Sequence, residues 1–245
     1  ALAAELHADV CEIYTDVDGV YTADPRIVPN ARKMEEVTYD EMLEMASLGA
    51  KVLHSRCVEI AKKYGVELLV CSSLNRNSGT MVREKTKMEK MLISGVAADK
   101  NVAKIRVAGL GNDPESTFRL LNLLDRNNLN IDVMIQSLGK DGTKSVSFTV
   151  AKPDMLRTID VLNDNKDSLG IKKLDYDENV AKISVIGAGV RSHSGVAAKM
   201  FGALANAGIN TEMITTSEIR ITALIDEAYA DQAMRAIHET FLEHV

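Results

Sequence analysis

At 245 residues, 46% of them hydrophobic and 26% charged, the chain has ordinary globular make-up and is long enough for one large domain or two to three small ones. Its 29 Lys and Arg against 35 Asp and Glu leave a formal charge of −6, which argues against nucleic acid as the main partner, because phosphate backbones are held by a surplus of cations. No apolar run approaches the roughly 20 residues that span a bilayer and nothing resembles a signal peptide, so no membrane partner is expected. The three cysteines, Cys11, Cys57 and Cys71, are odd in number and form no CxxC pair; they read as buried thiols of a cytoplasmic protein. The histidines show no metal-ligand spacing, so no metal site is expected. The opening ALAAELHA has helical character and no initiator Met, which reads as a chain whose front has been removed.

In chain order, Val10 to Tyr14 reads as a buried strand that leads into TDVDGVYTADPR. Two phosphate chemistries could own that loop: an Asp-x-Asp phosphatase with a nucleophilic carboxylate at a strand end, or a kinase holding a nucleotide there. The phosphatase needs a later acidic pair for magnesium, because the metal must neutralise phosphate beside the nucleophile. No Asp-Asp or Gly-Asp pair follows Asp18, and the phosphatase pattern does not predict Tyr21 to Arg26.

Further along, MLISGVAAD (91–99) reads as a strand without a partner of its own. A repeat follows. Residues 102–110 are VAKIRVAGL and residues 180–188 are VAKISVIGA; each precedes a polar loop (GNDPES, GVRSHSG) and an amphipathic helix (STFRLLNLLDRNNLN, GVAAKMFGALANAGIN). Two strand-like runs come next in each copy, IDVMIQSL with KSVSFTV and TEMITTS with IRITALI. A second helix closes each, in KPDMLRTIDVLNDN and AYADQAMRAIHETFL. Each copy is β-α-β-β-α, one strand short of a ferredoxin-like βαββαβ sandwich. The first copy finds that strand in GIKKLDYDE (170–178). The second has none left, so residues 91–99 are expected to complete it, with the first copy inserted inside the second. The Gly-x-Gly of VIGAGVRSHSG suggests a dinucleotide loop, but a lone glycine pattern is weak, and the antiparallel order implied here is not βαβ.

The stretch from Thr15 to Val70, with TDVDGVYTADPRIVPNARKMEEVTYDEMLEMASLGAKVLHSRCVEIAKKYGVELLV, resembles the end of the catalytic domain of aspartokinases, nearly residue for residue. NVAKIRVAGL…NIDVMIQS and KISVIGAGVRSHSGVAAK…TTSEIRI resemble that family's two ACT units. The likeness covers essentially the whole chain, with both halves in the family's order. It implies the α/β end of an amino acid kinase fold in residues 1–84, followed by two α+β ferredoxin-like ACT domains. The first comprises residues 100–178, and the second residues 91–99 plus 179–245. The implied activity is ATP-dependent phosphorylation of the β-carboxylate of L-aspartate, with magnesium as the nucleotide's salt. The glycine-rich Lys-Phe-Gly-Gly-Thr-Ser opening and the aspartate-binding carboxylate and arginine of the family are missing, so this chain is expected to be inactive alone.

The resemblance places ATP contacts at Thr15, Asp16, Tyr21, Arg26, Lys51 and Val52. The chemistry of these residues agrees. Thr15 and Asp16 suit a ribose and adenine rim, Tyr21 can cover a base, and Arg26 offers a fork for phosphates on a loop that Pro25 stiffens. Lys51 follows Gly49, where backbone can come close and an ammonium can meet a phosphate.

ACT units bind small amino acids, and a polar loop ahead of a helix N-terminus suits their carboxylate. The resemblance places effector contacts at Asn112, Asp113, Pro114, Glu115, Ser116, Thr117, Asn130, Ile131, Asp132 and Gln136 of the first unit. In the second they fall at Ala197, Ala198, Thr211, Glu212, Ser217 and Glu218. Both polar loops can also be read as plain helix caps. The family usually has Pro-Gly at Pro114-Glu115 and His-Pro-Gly at His193-Ser194-Gly195, so Glu115 brings a charge where bare backbone usually approaches the ligand. The implied effector is lysine, threonine or both, and the implied assembly an ACT-mediated homodimer. A non-catalytic regulatory subunit, like the short subunit some aspartokinases make, is the alternative; the intact mass in source cells separates the two. Another kinase of the same fold is disfavoured by the tandem repeat.

Overall fold

The computed structural model describes residues 1–49, 52–75, 77–86 and 92–242. In chain order it contains α1 (Leu2–Glu5), β1 (Val10–Thr15), β2 (Glu36–Thr38), α2 (Tyr39–Ser47), α3 (Ser55–Tyr64), β3 (Glu67–Ser72), β4 (Thr80–Arg83) and β5 (Gly95–Leu110). Then come α4 (Pro114–Arg126), β6 (Met134–Leu138), β7 (Lys144–Ala151), α5 (Met155–Asp164), α6 (Lys166–Leu169) and β8 (Lys173–Ile186). The chain ends with α7 (Gly189–Ser192), α8 (Val196–Asn206), β9 (Met213–Thr216), β10 (Arg220–Asp226) and α9 (Ala230–Leu242). Contacts divide it into two compact units: Ala1–Asp99 with Lys182–Ile225 and Tyr229–Val245, and Lys100–Ala181 with Asp226–Ala228.

In the first unit, β1, β3, β4 and β2 form a four-stranded sheet in that order. β1 runs parallel to β3 from Val10 opposite Glu67 to Thr15 opposite Ser72, and β4 is antiparallel to β3 and parallel to β2. The sequence reading made β1 a buried strand; it stands at one edge of this sheet with one face toward the core, and its residues alternate between exposed and half-buried. Its apolar stripe, Cys11 and Ile13, packs on a core of Val20, Met42, Met45, Leu48, Val70 and Val82. α2 begins with a reciprocal capping box: the Thr38 hydroxyl accepts from Glu41 N, and the Glu41 carboxylate accepts from Thr38 N. α3 ends at Gly65, whose φ of 67° is the left-handed turn that closes helices.

The same unit holds the end of β8, then β10 and β9 hydrogen-bonded in that order, with α8 and α9. Val180 to Ile186 and Ile221 to Ile225 are buried on both faces of the sheet, not alternately. Ile186 and Ala97 belong to the core that contains Met42 and Met45. Residues 92–94 lie along the end of β8: Ser94 N donates to Ile186 O at 2.8 Å and Gly189 N to Leu92 O at 2.9 Å. Gly187 and Gly189 permit this approach, since a Cβ on Gly189 would lie 2.3 Å from Leu92 O and one on Gly187 2.7 Å from Ile93 Cα. The Gly-x-Gly that suggested a dinucleotide loop makes room for a neighbouring segment of chain. The polar loop that continues from it contains the helical turn α7.

The second unit has strand order β6-β7-β5-β8. β5 pairs antiparallel with β7 from Val102 opposite Ala151, with a bulge at Gly109. Ile105, Val107, Leu120, Leu124, Val146, Phe148 and Leu162 fill the space between sheet and helices. β6 starts at Met134, later than the IDVMIQSL run suggested, because the Thr149 hydroxyl captures Val133 N and Asp132 N donates to Thr149 O outside the regular ladder.

β5 and β8 each run through both units. The sequence reading cut each into two strands. At 16 and 14 residues they are longer than the usual 3–10, and no Gly, Pro or turn dipeptide interrupts Asp99-Lys100-Asn101 or Asp177-Glu178-Asn179.

Candidate functional site

The loop that leaves β1 is held by side chains. Thr15 O accepts from Ser73 N at 2.8 Å and from Ser73 Oγ at 3.0 Å, while its hydroxyl donates to Asp16 at 2.9 Å. Asp18 gathers the next turn: Tyr21 OH donates to one carboxylate oxygen at 2.9 Å, Asn77 Nδ2 donates to the other at 3.3 Å, and Lys33 Nζ stands 3.7 Å away. Partial burial pushes Asp18 up, but the Tyr21 and Asn77 hydrogen bonds and the Lys33 charge outweigh it and hold its pKa below the usual value. Thr80 fastens the turn to β4, its hydroxyl accepting from Val20 N at 2.8 Å and donating to Met34 O at 2.6 Å.

Arg26 donates to Asp24 through Nε and Nη2, the latter at 2.7 Å, yet 87% of its side chain is accessible. The hydrogen bond and charge of Asp24, with a contribution from Asp16, hold the guanidinium above its ordinary pKa. Thr15, Asp16, Tyr21 and Arg26 thus stand on one connected loop, and Arg26 is a cation that can exchange a carboxylate for phosphate oxygens without burying charge. Val52 packs half-buried on the core. Lys51 lies outside the described residues. Gly49, read as room for a phosphate, has φ 101° and approaches backbone instead: a Cβ there would lie 2.6 Å from Ala98 O.

In the second unit, Asp113 caps α4 by accepting from Glu115 N and Ser116 N and, in a short contact, from the Ser116 hydroxyl, with Pro114 in the first turn. The Ser116 bond leads the causes that depress the Asp113 pKa. Lys144 Nζ donates to Asp113 O at 2.9 Å, and Thr117 Oγ1 donates to Gln136 Oε1 at 2.6 Å. The loop and β6 are therefore joined through Thr117 and Gln136, with Asn112 and Glu115 exposed beside them. Asn130, Ile131 and Asp132 precede β6; Ile131 packs on the core and the other two are exposed.

In the other repeat, Ala197 and Ala198 are exposed in the first turn of α8, which has no side-chain cap. Glu212 N donates to Leu224 O, Ser217 N to Arg220 O, and Glu218 pairs with Arg191 at 3.1 Å; Thr211 is half-buried ahead of β9. Sequence reasoning missed Lys33, Asn77 and Thr80, which carry no motif, and weighed Asp18 only as a phosphatase carboxylate. Among the described residues no group of three or more His, Cys, Asp or Glu is placed to hold a metal ion, and no helix is long and apolar enough to cross a membrane.

The amino acid kinase family model matches residues 1–72, and the ACT domain model residues 183–241. Curated aspartokinases from Pseudomonas aeruginosa and Helicobacter pylori are 45% and 46% identical to the chain over 98% of its length. A crystal structure of aspartokinase alpha and beta subunits is 42% identical over 61% of this chain and 98% of that one, with a TM-score of 0.58. This chain belongs to the aspartokinase family. It covers 59% and 60% of those two curated aspartokinases. Escherichia coli aspartokinase III, solved with aspartate and ADP, superposes with a TM-score of 0.87 at 28% identity, over 99% of this chain and 54% of that one. The same enzyme has been solved with lysine and aspartate.

Proposed function

We propose that this chain carries the nucleotide-facing wall and the effector-sensing part of an enzyme that transfers the γ-phosphoryl group of ATP to the β-carboxylate of L-aspartate. The observation that carries this reading is the match to aspartokinase III, which binds aspartate and ADP, over 99% of the present chain. Thr15, Asp16, Tyr21, Arg26, Lys51 and Val52 line the nucleotide, and magnesium arrives as its counter-ion. Phosphoryl transfer depends on positioning and charge neutralisation. Arg26 supplies the second by leaving Asp24 for phosphate oxygens; the Asp18 cluster supplies the first by fixing Tyr21.

Residues 1–84 are the kinase part, 100–178 one ACT unit, and 91–99 with 179–245 the other. Lysine, threonine or both bind at the Asn112–Thr117 loop with Asn130 to Asp132 and Gln136. The positions in the second unit, Ala197, Ala198, Thr211, Glu212, Ser217 and Glu218, form the equivalent site. ACT units of two copies associate, and the protein works in the cytoplasm.

Calorimetry of this chain with lysine and with threonine tests the sensing half. At least one should bind, and Thr117→Val or Gln136→Ala should weaken it by roughly two- to ten-fold, the net worth of one ordinary hydrogen bond. Glu115→Gly should tighten binding if the Glu115 carboxylate repels that of the effector. Absence of binding by both amino acids would sink this half of the reading.

A further inference from the structure

We infer that His238, on α9, is a positioning residue for the loop between β1 and β2, acting on it through Thr22. Thr22 is 4% exposed and sits between Tyr21 and the Asp24–Arg26 pair. Two of its bonds stay within the loop, since Thr22 N donates to Arg32 O at 2.9 Å and Arg32 N to Thr22 Oγ1 at 3.0 Å. Two leave it. Thr22 O accepts from Val96 N at 2.8 Å, and Thr22 Oγ1 shares a 2.9 Å hydrogen bond with His238 Nε2.

His238 is 1% exposed on a helix whose inward face is otherwise Ala230, Ala233, Met234, Ile237 and Leu242. An imidazole on such a face needs a polar partner, and the loop provides it. Three residues earlier, on the neighbouring position of the helix surface, Arg235 Nη1 donates to Ile27 O at 3.4 Å. α9 therefore holds the loop at Thr22 and at Ile27, and the segment between these two points carries Asp24 and Arg26. The placement makes α9 the element through which a change in its own repeat reaches Tyr21 and Arg26. This rests on the nucleotide reading of the loop given above.

The test compares wild type, His238→Leu, His238→Gln and Thr22→Val. Hydrogen exchange on this chain follows the hydrogen-bonded amides of Thr22, Ile27 and Val28 against those of β3 and β10. In the whole enzyme, KM for ATP and for aspartate are measured. His238→Leu should speed exchange at the loop about tenfold or more while β3 and β10 keep their protection, a local opening instead of a global one. It should raise KM for ATP and leave KM for aspartate near wild type. His238→Gln, which keeps a hydrogen-bonding nitrogen, should restore both. If His238→Leu does not fold, Thr22→Val provides the same readings. Unchanged loop exchange, equal acceleration of all amides, no rescue by glutamine, or an unchanged KM for ATP in an active enzyme would each overturn the inference. A wild-type enzyme that does not use ATP would sink the nucleotide reading, and the exchange data would still decide whether His238 holds the loop.

Discussion

Arg220 opens β10, and its Nη1 donates to Glu44 Oε2 of α2 at 2.8 Å, joining residues 176 positions apart. The side chains are 18% and 25% accessible, so water screens this pair far less than it screens Arg26 and Asp24. At an effective dielectric near 20 and a separation of about 3 Å the bare attraction is about 5–6 kcal/mol, and desolvation removes most of it. Exposed pairs couple by about 0.2–1 kcal/mol; with this burial the expected coupling is about 1.5–2 kcal/mol. A double-mutant cycle with Glu44→Gln and Arg220→Gln measures it by urea unfolding at pH 7. Each single change should cost more than half of the double, because it strands the remaining partly buried group. The coupling should also survive most of a rise to about 0.5 M salt, where exposed pairs are screened. A coupling below about 0.5 kcal/mol, or one that vanishes in salt, would mean that solvation dominates and that burial has been given too much weight.

Gly189→Ala puts a Cβ 2.3 Å from Leu92 O, too close for either backbone to keep its place. It should destabilise the chain by about 1–3 kcal/mol and lower exchange protection at Ser94 and Gly189 first; an unperturbed melting point would refute the packing argument. Asp18→Asn keeps the shape of Asp18 and removes the charge that faces Lys33 and draws the Tyr21 and Asn77 donors. Because the folded pKa of Asp18 lies below the unfolded value, its stabilisation is fully present above about pH 4–5 and is lost as pH falls through the folded pKa. The stability gap between wild type and Asp18→Asn should therefore stay constant from neutral pH to about pH 5 and narrow below about pH 4, as read by urea midpoints; a gap that widens on acidification would reverse the assignment.

Features set by local chemistry are legible along the chain. The repeat of VAKIRVAGL and VAKISVIGA, the polar loop at Asp113 ahead of a helix, and the period-2 pattern of KSVSFTV are written in neighbouring residues. The loop of Thr15, Asp16, Tyr21 and Arg26 was legible for the same reason: its residues are close along the chain. The remaining features depend on groups far apart in sequence. Residues 91–99 and 102–110 read as two strands because an extended backbone carries no mark of which partner it pairs with; in the fold residues 95–99 and 102–110 are parts of one continuous strand, β5, which pairs with β7 and lies beside β8. Gly187 and Gly189 could be set aside as a dinucleotide loop from sequence, but only the approach of Leu92 and Ile93 gave them their purpose. Asp18, Lys33 and Asn77 meet only after β1, β2 and β4 are assembled, and Thr22 meets His238 only after the last helix has packed. A side-chain hydrogen bond is satisfied by whatever the fold brings within about 3 Å. Across 216 positions, the order of residues does not say what that will be.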